Sequence, residues 1–293
     1  MIRSSLIITA ATSLALGLGA AHAAQPAPLT VKVYNADGKS FNVNSTLVYG
    51  EREAMVIDAG FTRADALRIA ANVLDSGKQL TTIYVSQADP DYYFGVETLK
   101  EIFPQVAVVS TPAVLAKLQP KMAGKLAFWG PKMGANAPRQ PVLPQALPGN
   151  TLTLEGQTIE IRGTQGLLAH RPYAWIPSIK AIVGNIGVFG QMHVWTADTQ
   201  TVAERAAWVT QLDEMLALKP ELVVPSHMRA GTATDASTIN FTKNYLLSFE
   251  KNLAATKNSA ELIDAMKQAY PQLTDGALSL DIGAKVNKGE MKW

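Results

Sequence analysis

Two carboxylates stand two residues apart where an apolar run ends. The run Leu80-Thr81-Thr82-Ile83-Tyr84-Val85 is rich in β-branched residues, and Ser86-Gln87-Ala88-Asp89-Pro90-Asp91-Tyr92-Tyr93-Phe94-Gly95 follows it. This pattern predicts a strand, a loop and the start of a helix, with Asp89 and Asp91 at the strand's C-terminal end. Paired acids there could ligate a hard cation or exchange protons with a substrate. Both acids also have ordinary structural readings. Asp89-Pro90 is a regular helix start, an N-cap followed by proline at N1. Asp91 falls in the first turn, where the helix dipole favours negative charge.

Other chemistry is scarce. The chain has 4 histidines and no cysteine, which excludes disulfides and thiolate metal sites. His22 lies in the N-terminal leader; His170, His193 and His227 remain. For His170 and His193, a packed or surface role and a place in a cleft both stay open. No Gly-x-Ser-x-Gly elbow, Walker loop or Gly-x-Gly-x-x-Gly follows a strand. Ser226 and His227 are adjacent on an extended segment, so their side chains point apart and do not form a nucleophile–base pair.

The elements that must hold these residues alternate. Leu29–Tyr34 and Phe41–Val48 predict a β-hairpin turning at Asp37-Gly38. Glu53–Ile57 predicts a strand ending at Asp58-Ala59-Gly60, and Arg63–Leu74 a helix stopped at Ser76-Gly77. Asp58 is read as fixing its turn or a neighbouring loop. After the acid-bearing loop, a helix is expected to about Phe103, then a strand Val106–Val109 and a helix opened by Thr111-Pro112. A Pro/Gly-rich loop insertion is expected over 129–149. A second hairpin turns at Glu155-Gly156, followed by strands Tyr173–Ile176 and Ala181–Val183 and a helix over Val202–Leu218. A short strand Leu222–Val224 precedes terminal helices over Asn240–Leu253 and Ala260–Tyr270. Alternating strands and helices indicate an α/β protein.

Residues 1–23 have the pattern of a cleavable signal peptide: Arg3, an apolar Leu6–Leu18 and the small-residue site Ala21-His22-Ala23. The apolar core is too short for a span, so no stable membrane span is expected after cleavage. The remaining 24–293 suffice for a single domain, with a periplasmic location expected. Loss of Arg3 takes the net charge from +2 to +1. With no basic stripe, nucleic acid is not expected as a partner; a small molecule is.

Five segments in order resemble the metallo-β-lactamase superfamily. They are Val56-Ile57-Asp58-Ala59-Gly60, the 86–95 loop, Gly163–Pro177, Ile182-Val183-Gly184-Asn185 and Val224-Pro225-Ser226-His227. The resemblance implies a four-layer αββα sandwich. The superfamily's H-x-H-x-D-H motif is degenerate here, reading Gln87-Ala88-Asp89-Pro90-Asp91-Tyr92. Leu167 replaces a further ligand, and Asn185 stands for the bridging aspartate. Residue by residue, the resemblance implies metal ligands at Gln87, Asp89, Asp91 and His227, with Asp91, Tyr92 and Asn185 acting on water or substrate; outside the matched motifs, His193 could bind substrate or complete the metal shell.

Two functions fit these residues. The first is an exported hydrolase with a rebuilt, mononuclear site for one divalent metal (Zn, Mn or Fe), acting on a small ester, lactone, amide or phosphoester. The second is a metal-free, non-catalytic periplasmic binding or accessory protein. The aromatic set Phe128, Trp129, Tyr173, Trp175, Phe189 and Trp195 would wall an apolar cleft in either case, or be core.

Overall fold

A computed structural model describes residues 27–293. The expected signal peptide lies outside the described residues. No described helix is long and apolar enough to cross a membrane.

The first sheet has six strands in chain order: β1 (Thr30–Asn35), β2 (Asn44–Tyr49), β3 (Glu53–Ile57), β4 (Gln79–Tyr84), β5 (Ala107–Ser110) and β6 (Gln145–Ala146). β1 to β3 pair antiparallel and β3 to β6 parallel. The parallel steps need crossover helices. These are α1 (Arg63–Ser76), the pair α2 (Pro90–Tyr93) and α3 (Val96–Ile102), and α4 (Pro112–Met133). The second sheet has the order β12-β10-β9-β8-β7. Its strands are β7 (Thr151–Leu154), β8 (Gln157–Arg162), β9 (Tyr173–Ile176), β10 (Ala181–Val183) and β12 (Leu222–Val223). A small pair, β11 (Phe189–Gly190) and β13 (His227–Met228), lies apart from both. α5 (Val202–Ala217), α6 (Ser237–Ala255), α7 (Ser259–Ala269) and α8 (Ala277–Asn287) complete the chain.

Three buried clusters stack these elements into four layers. Met55, Ile57 and Tyr84 of the first sheet meet Ile159, Ile161, Ala174 and Ile176 of the second. The opposite face of the first sheet takes Ile69, Val73 and Leu99 from α1 and α3. The opposite face of the second takes Trp208, Phe249, Met266 and Leu280 from α5 to α8. The central strands β3 and β10 have buried apolar residues on both faces because the sheets are covered on both there, whereas β7 and β8 alternate apolar with polar. The result is the expected αββα sandwich.

Several local expectations change in ways that matter to the site. The first hairpin has no tight turn at Asp37-Gly38. Asp37 accepts the Lys39 N–H, Gly38–Ser40 forms a 3-10 turn, and Phe41 and Asn42 follow at φ 59° and 57°. The helix after Asp89 is broken at Gly95, where a Cβ would lie 2.0 Å from the Ala59 carbonyl oxygen. The expected 129–149 loop begins inside α4, which runs to Met133. Pro131 sits in the last turn, where its ring removes one helical hydrogen bond without ending the helix. Helix α8 was not anticipated at all. Gly283 lies inside it because a Cβ would come 2.4 Å from Thr196 Oγ1.

Candidate functional site

The cleft opens beside the loop that follows β4 and has a volume of about 780 Å³. Besides Phe189, Met192, Trp195 and His227, four structural sources line it. The loop and α2 give Asp89, Asp91 and Tyr92; the β1–β2 connection gives Phe41 and Asn42. α4 contributes Lys125, Phe128 and Trp129, whose spacing puts them on one helical face. The C-terminal part adds Asp275, Leu278, Ile282 and Trp293.

His227 is fully engaged by the protein. Its ring stacks on Phe189 at 5.3 Å, the residue paired with it across β11 and β13. Nδ1 lies 2.9 Å from the Phe41 carbonyl oxygen, which only accepts, so Nδ1 carries the proton. The left-handed Phe41 and Asn42 belong to the short connection that brings this carbonyl to the ring. Burial lowers the His227 pKa to about 4, leaving the ring neutral at pH 7. Nε2 is therefore an acceptor, and the Tyr92 hydroxyl donates to it across 3.1 Å. Burial holds that phenol well above its usual pKa, so it keeps its proton.

Asp91 Oδ2 lies 3.5 Å from Nε2. This is no ion pair, because the imidazole is neutral, and it is too long for a strong hydrogen bond. Burial raises the Asp91 pKa to about 7, and among the described residues the one donor to its carboxylate is its own backbone N–H. Asp89 sits at the N-cap position of α2 with no capping hydrogen bond. Its Oδ1 faces Lys125 Nζ at 3.5 Å instead. Burial, then Asp198 and Asp91, raise its pKa to about 6.

The remaining expected site residues are turned elsewhere. Gln87 is buried and its Nε2 donates to the Pro172 carbonyl. The Asn185 side chain accepts from Val188 N–H and donates to the Val224 carbonyl, which fixes the turn after β10. His193 was expected to reach substrate. It is buried against Tyr245, with Nδ1 3.0 Å from that hydroxyl, because its N–H is tied to the Asp275 carbonyl. Leu167 lies 62% exposed on its loop. Of the six aromatics considered for the wall, Phe128, Trp129, Phe189 and Trp195 line the cleft. Tyr173 and Trp175 are core. Asp58 serves its neighbour loop as expected, accepting from Ser86 N–H and from Ser86 Oγ–H, each at 2.8 Å.

The Lactamase_B model, described as "Metallo-beta-lactamase superfamily", matches residues 38–172. Residues 38–172 are thus similar to the metallo-β-lactamase superfamily, and the chain has the metallo-β-lactamase fold. Comparison with curated proteins finds no match. Among solved structures, a beta-lactamase domain protein from Burkholderia ambifaria is 14% identical with a TM-score of 0.60, over 88% of this chain and 84% of that one. The BLEG-1 B3 metallo-beta-lactamase is 15% identical with a TM-score of 0.55, over 74% of this chain and 99% of that one. The DIM-1 metallo-beta-lactamase is 16% identical with a TM-score of 0.53, over 75% and 93%. Likeness at this identity is one of fold, and the fold is of a hydrolase type.

The superfamily implies metal, and the residues present here do not fit one. Imidazole binds metal through an unprotonated nitrogen. The only such nitrogen on His227 already takes the Tyr92 hydroxyl. Asn185 spends both ends of its amide on backbone, and the Gln87 Nε2 is turned to the Pro172 carbonyl. Among the described residues, no three His, Asp or Glu side chains gather closely enough to hold an ion.

Proposed function

We propose that this chain is a metal-free protein that binds a small molecule in the cleft, on a fold otherwise suited to hydrolysis. One observation carries the reading: the Tyr92 hydroxyl occupies the lone pair of His227 that a metal would need. The same geometry argues against acid–base catalysis by the His227–Tyr92 pair. An imidazole with a pKa near 4 is a weak base at neutral pH, and a phenol held above its usual pKa is a weak acid. The cleft suits binding. It joins a broad aromatic wall to a small set of polar groups, the usual composition of a small-molecule site. The leader with Arg3 and Ala21-His22-Ala23 supports export to the periplasm, where such a protein would meet solutes.

Thermal melting tests the metal-free reading. The melting temperature is expected to be the same with chelator and with added Zn²⁺, Mn²⁺ or Fe²⁺. A rise with one of these ions that saturates at one equivalent and is absent from His227→Ala would overturn it.

A further inference from the structure

The cleft's charges and surfaces point to one chemical class of ligand, given the binding reading above. Asp91 is 6% exposed and lines the cleft. Among the described residues, the one donor to its carboxylate is its own backbone N–H. The nearest ring nitrogen, His227 Nε2, cannot donate to it, because that ring's proton is on Nδ1. A buried carboxylate without a donor from its surroundings is costly. Its exposed edge faces the cleft, so the missing donor must come from there.

A second observation shows what kind of donor the site accepts. Lys125 Nζ stands 3.5 Å from Asp89 Oδ1 and 5.7 Å from the centre of the Trp293 ring. An ammonium group thus already rests between a carboxylate and an indole face. The rings around it are fixed in place. Trp195 and Trp293 meet edge to face at 5.0 Å, and both indole N–H groups donate to Asp198, at 2.5 and 2.8 Å. Aromatic faces attract cations. Of the charged side chains lining the cleft, Asp89, Asp91 and Asp275 are acidic and Lys125 alone is basic.

We infer that the cleft takes an organic amine, whose ammonium sits at Asp89 and Asp91 in place of Lys125 Nζ and whose apolar body lies on Trp129, Phe189, Trp195 and Trp293. A neutral ligand would leave Asp91 without a cationic partner, and an anion would meet the acidic side chains Asp89, Asp91 and Asp275.

Calorimetric titration with three probes sharing one ring system tests this. Tryptamine is the cation, indole-3-ethanol the neutral form and indole-3-acetate the anion. Tryptamine is expected to bind at least tenfold tighter than indole-3-ethanol, with no binding of indole-3-acetate. Asp91→Asn should bring tryptamine down to the level of indole-3-ethanol, with an unchanged far-UV circular dichroism spectrum showing that the variant is folded. Lys125→Met, which removes the competing ammonium, should tighten tryptamine several-fold and not indole-3-ethanol. Tryptamine binding no tighter than the neutral probe, a preference for the acetate, or no binding of any probe overturns the inference. These outcomes are separate from the metal test. A metal-free protein that ignores tryptamine still binds no metal, and uptake of an ion would defeat the binding reading whatever the amine does.

Discussion

The Tyr92 hydroxyl donates to His227 Nε2 across 3.1 Å, while the Phe41 carbonyl takes the proton on Nδ1. Between them these two bonds leave the imidazole with no free nitrogen. The phenol comes from the first residues of α2 and the histidine from β13, 135 positions later in the chain. This contact therefore ties the two halves of the sandwich together where a metal would otherwise do so.

Tyr92→Phe should cost stability. It leaves a buried ring nitrogen without a partner, a loss of about 1–3 kcal/mol. Urea unfolding of the variant against the parent measures it. A difference below a few tenths of a kcal/mol would mean that the hydrogen bond contributes nothing.

Tyr92→His should convert the site. A second imidazole beside His227 and Asp91 would supply two nitrogens and a carboxylate, a set zinc accepts with a fourth position open. The variant is expected to take up about one equivalent of Zn²⁺ by mass spectrometry, where the parent takes none. Failure of the variant to bind would show that more than the phenol blocks the ion.

Stability should depend on pH through buried carboxylates of opposite sign, Asp58 acting with Asp89 and Asp91 in one direction and Asp65 in the other. Burial raises the Asp58 pKa to about 8 despite its bonds from Ser86. Between its ordinary value of 3.8 and about 8 the folded state therefore holds a proton that the unfolded state has lost. Stability falls as pH rises through that window. Burial also pushes Asp65 upward, but hydroxyls of Ser40, Thr62 and Tyr34 outweigh it and hold the group below 3.8. Its contribution is present above 3.8 and is lost as the pH falls below it. Asp58→Asn keeps an acceptor for the Ser86 N–H and tolerates the left-handed backbone at φ 65°. In that variant the decline between pH 4 and 8 should flatten. An unchanged pH–stability curve would rule out Asp58 as its source.

Arg205 should matter to the cleft from a distance. It is buried on α5 and bonds Glu250 of α6, Asn287 of α8 and the Thr199 carbonyl. Glu250 is partly exposed, so Arg205→Ala should cost about 2–3 kcal/mol, less than a wholly buried pair would. Hydrogen exchange should rise in α8, whose first turns wall the cleft. Faster exchange confined to α5 would show that the link does not reach the site.

The layers were legible in the sequence because apolar runs and turn residues agree. Thr111-Pro112 caps and opens α4, with the Thr111 side chain accepting the Val114 N–H. Glu155-Gly156 turns the second hairpin, with both residues at positive φ. The acids and His227 were also found, since each stands where a strand ends. What could not be read was the use of the side chains. No local pattern tells that Asn185 spends its amide on Val188 and Val224, or that His193 packs on Tyr245. The α8 side of the cleft wall and Lys125 were missed for a plainer reason. Gly283 lowers the helical propensity of α8 by about 1 kcal/mol and answers only to the close approach of Thr196. Lys125, Phe128 and Trp129 share a face only if α4 continues past Pro120, and proline in a helix interior argues locally against that.

The most direct test of the central claim is metal content by mass spectrometry, on the mature protein purified without chelator or affinity metal. No stoichiometric Zn, Mn or Fe is expected, and none after incubation with each ion. About one equivalent of any of them, lost in Asp91→Ala and in His227→Ala, would contradict it.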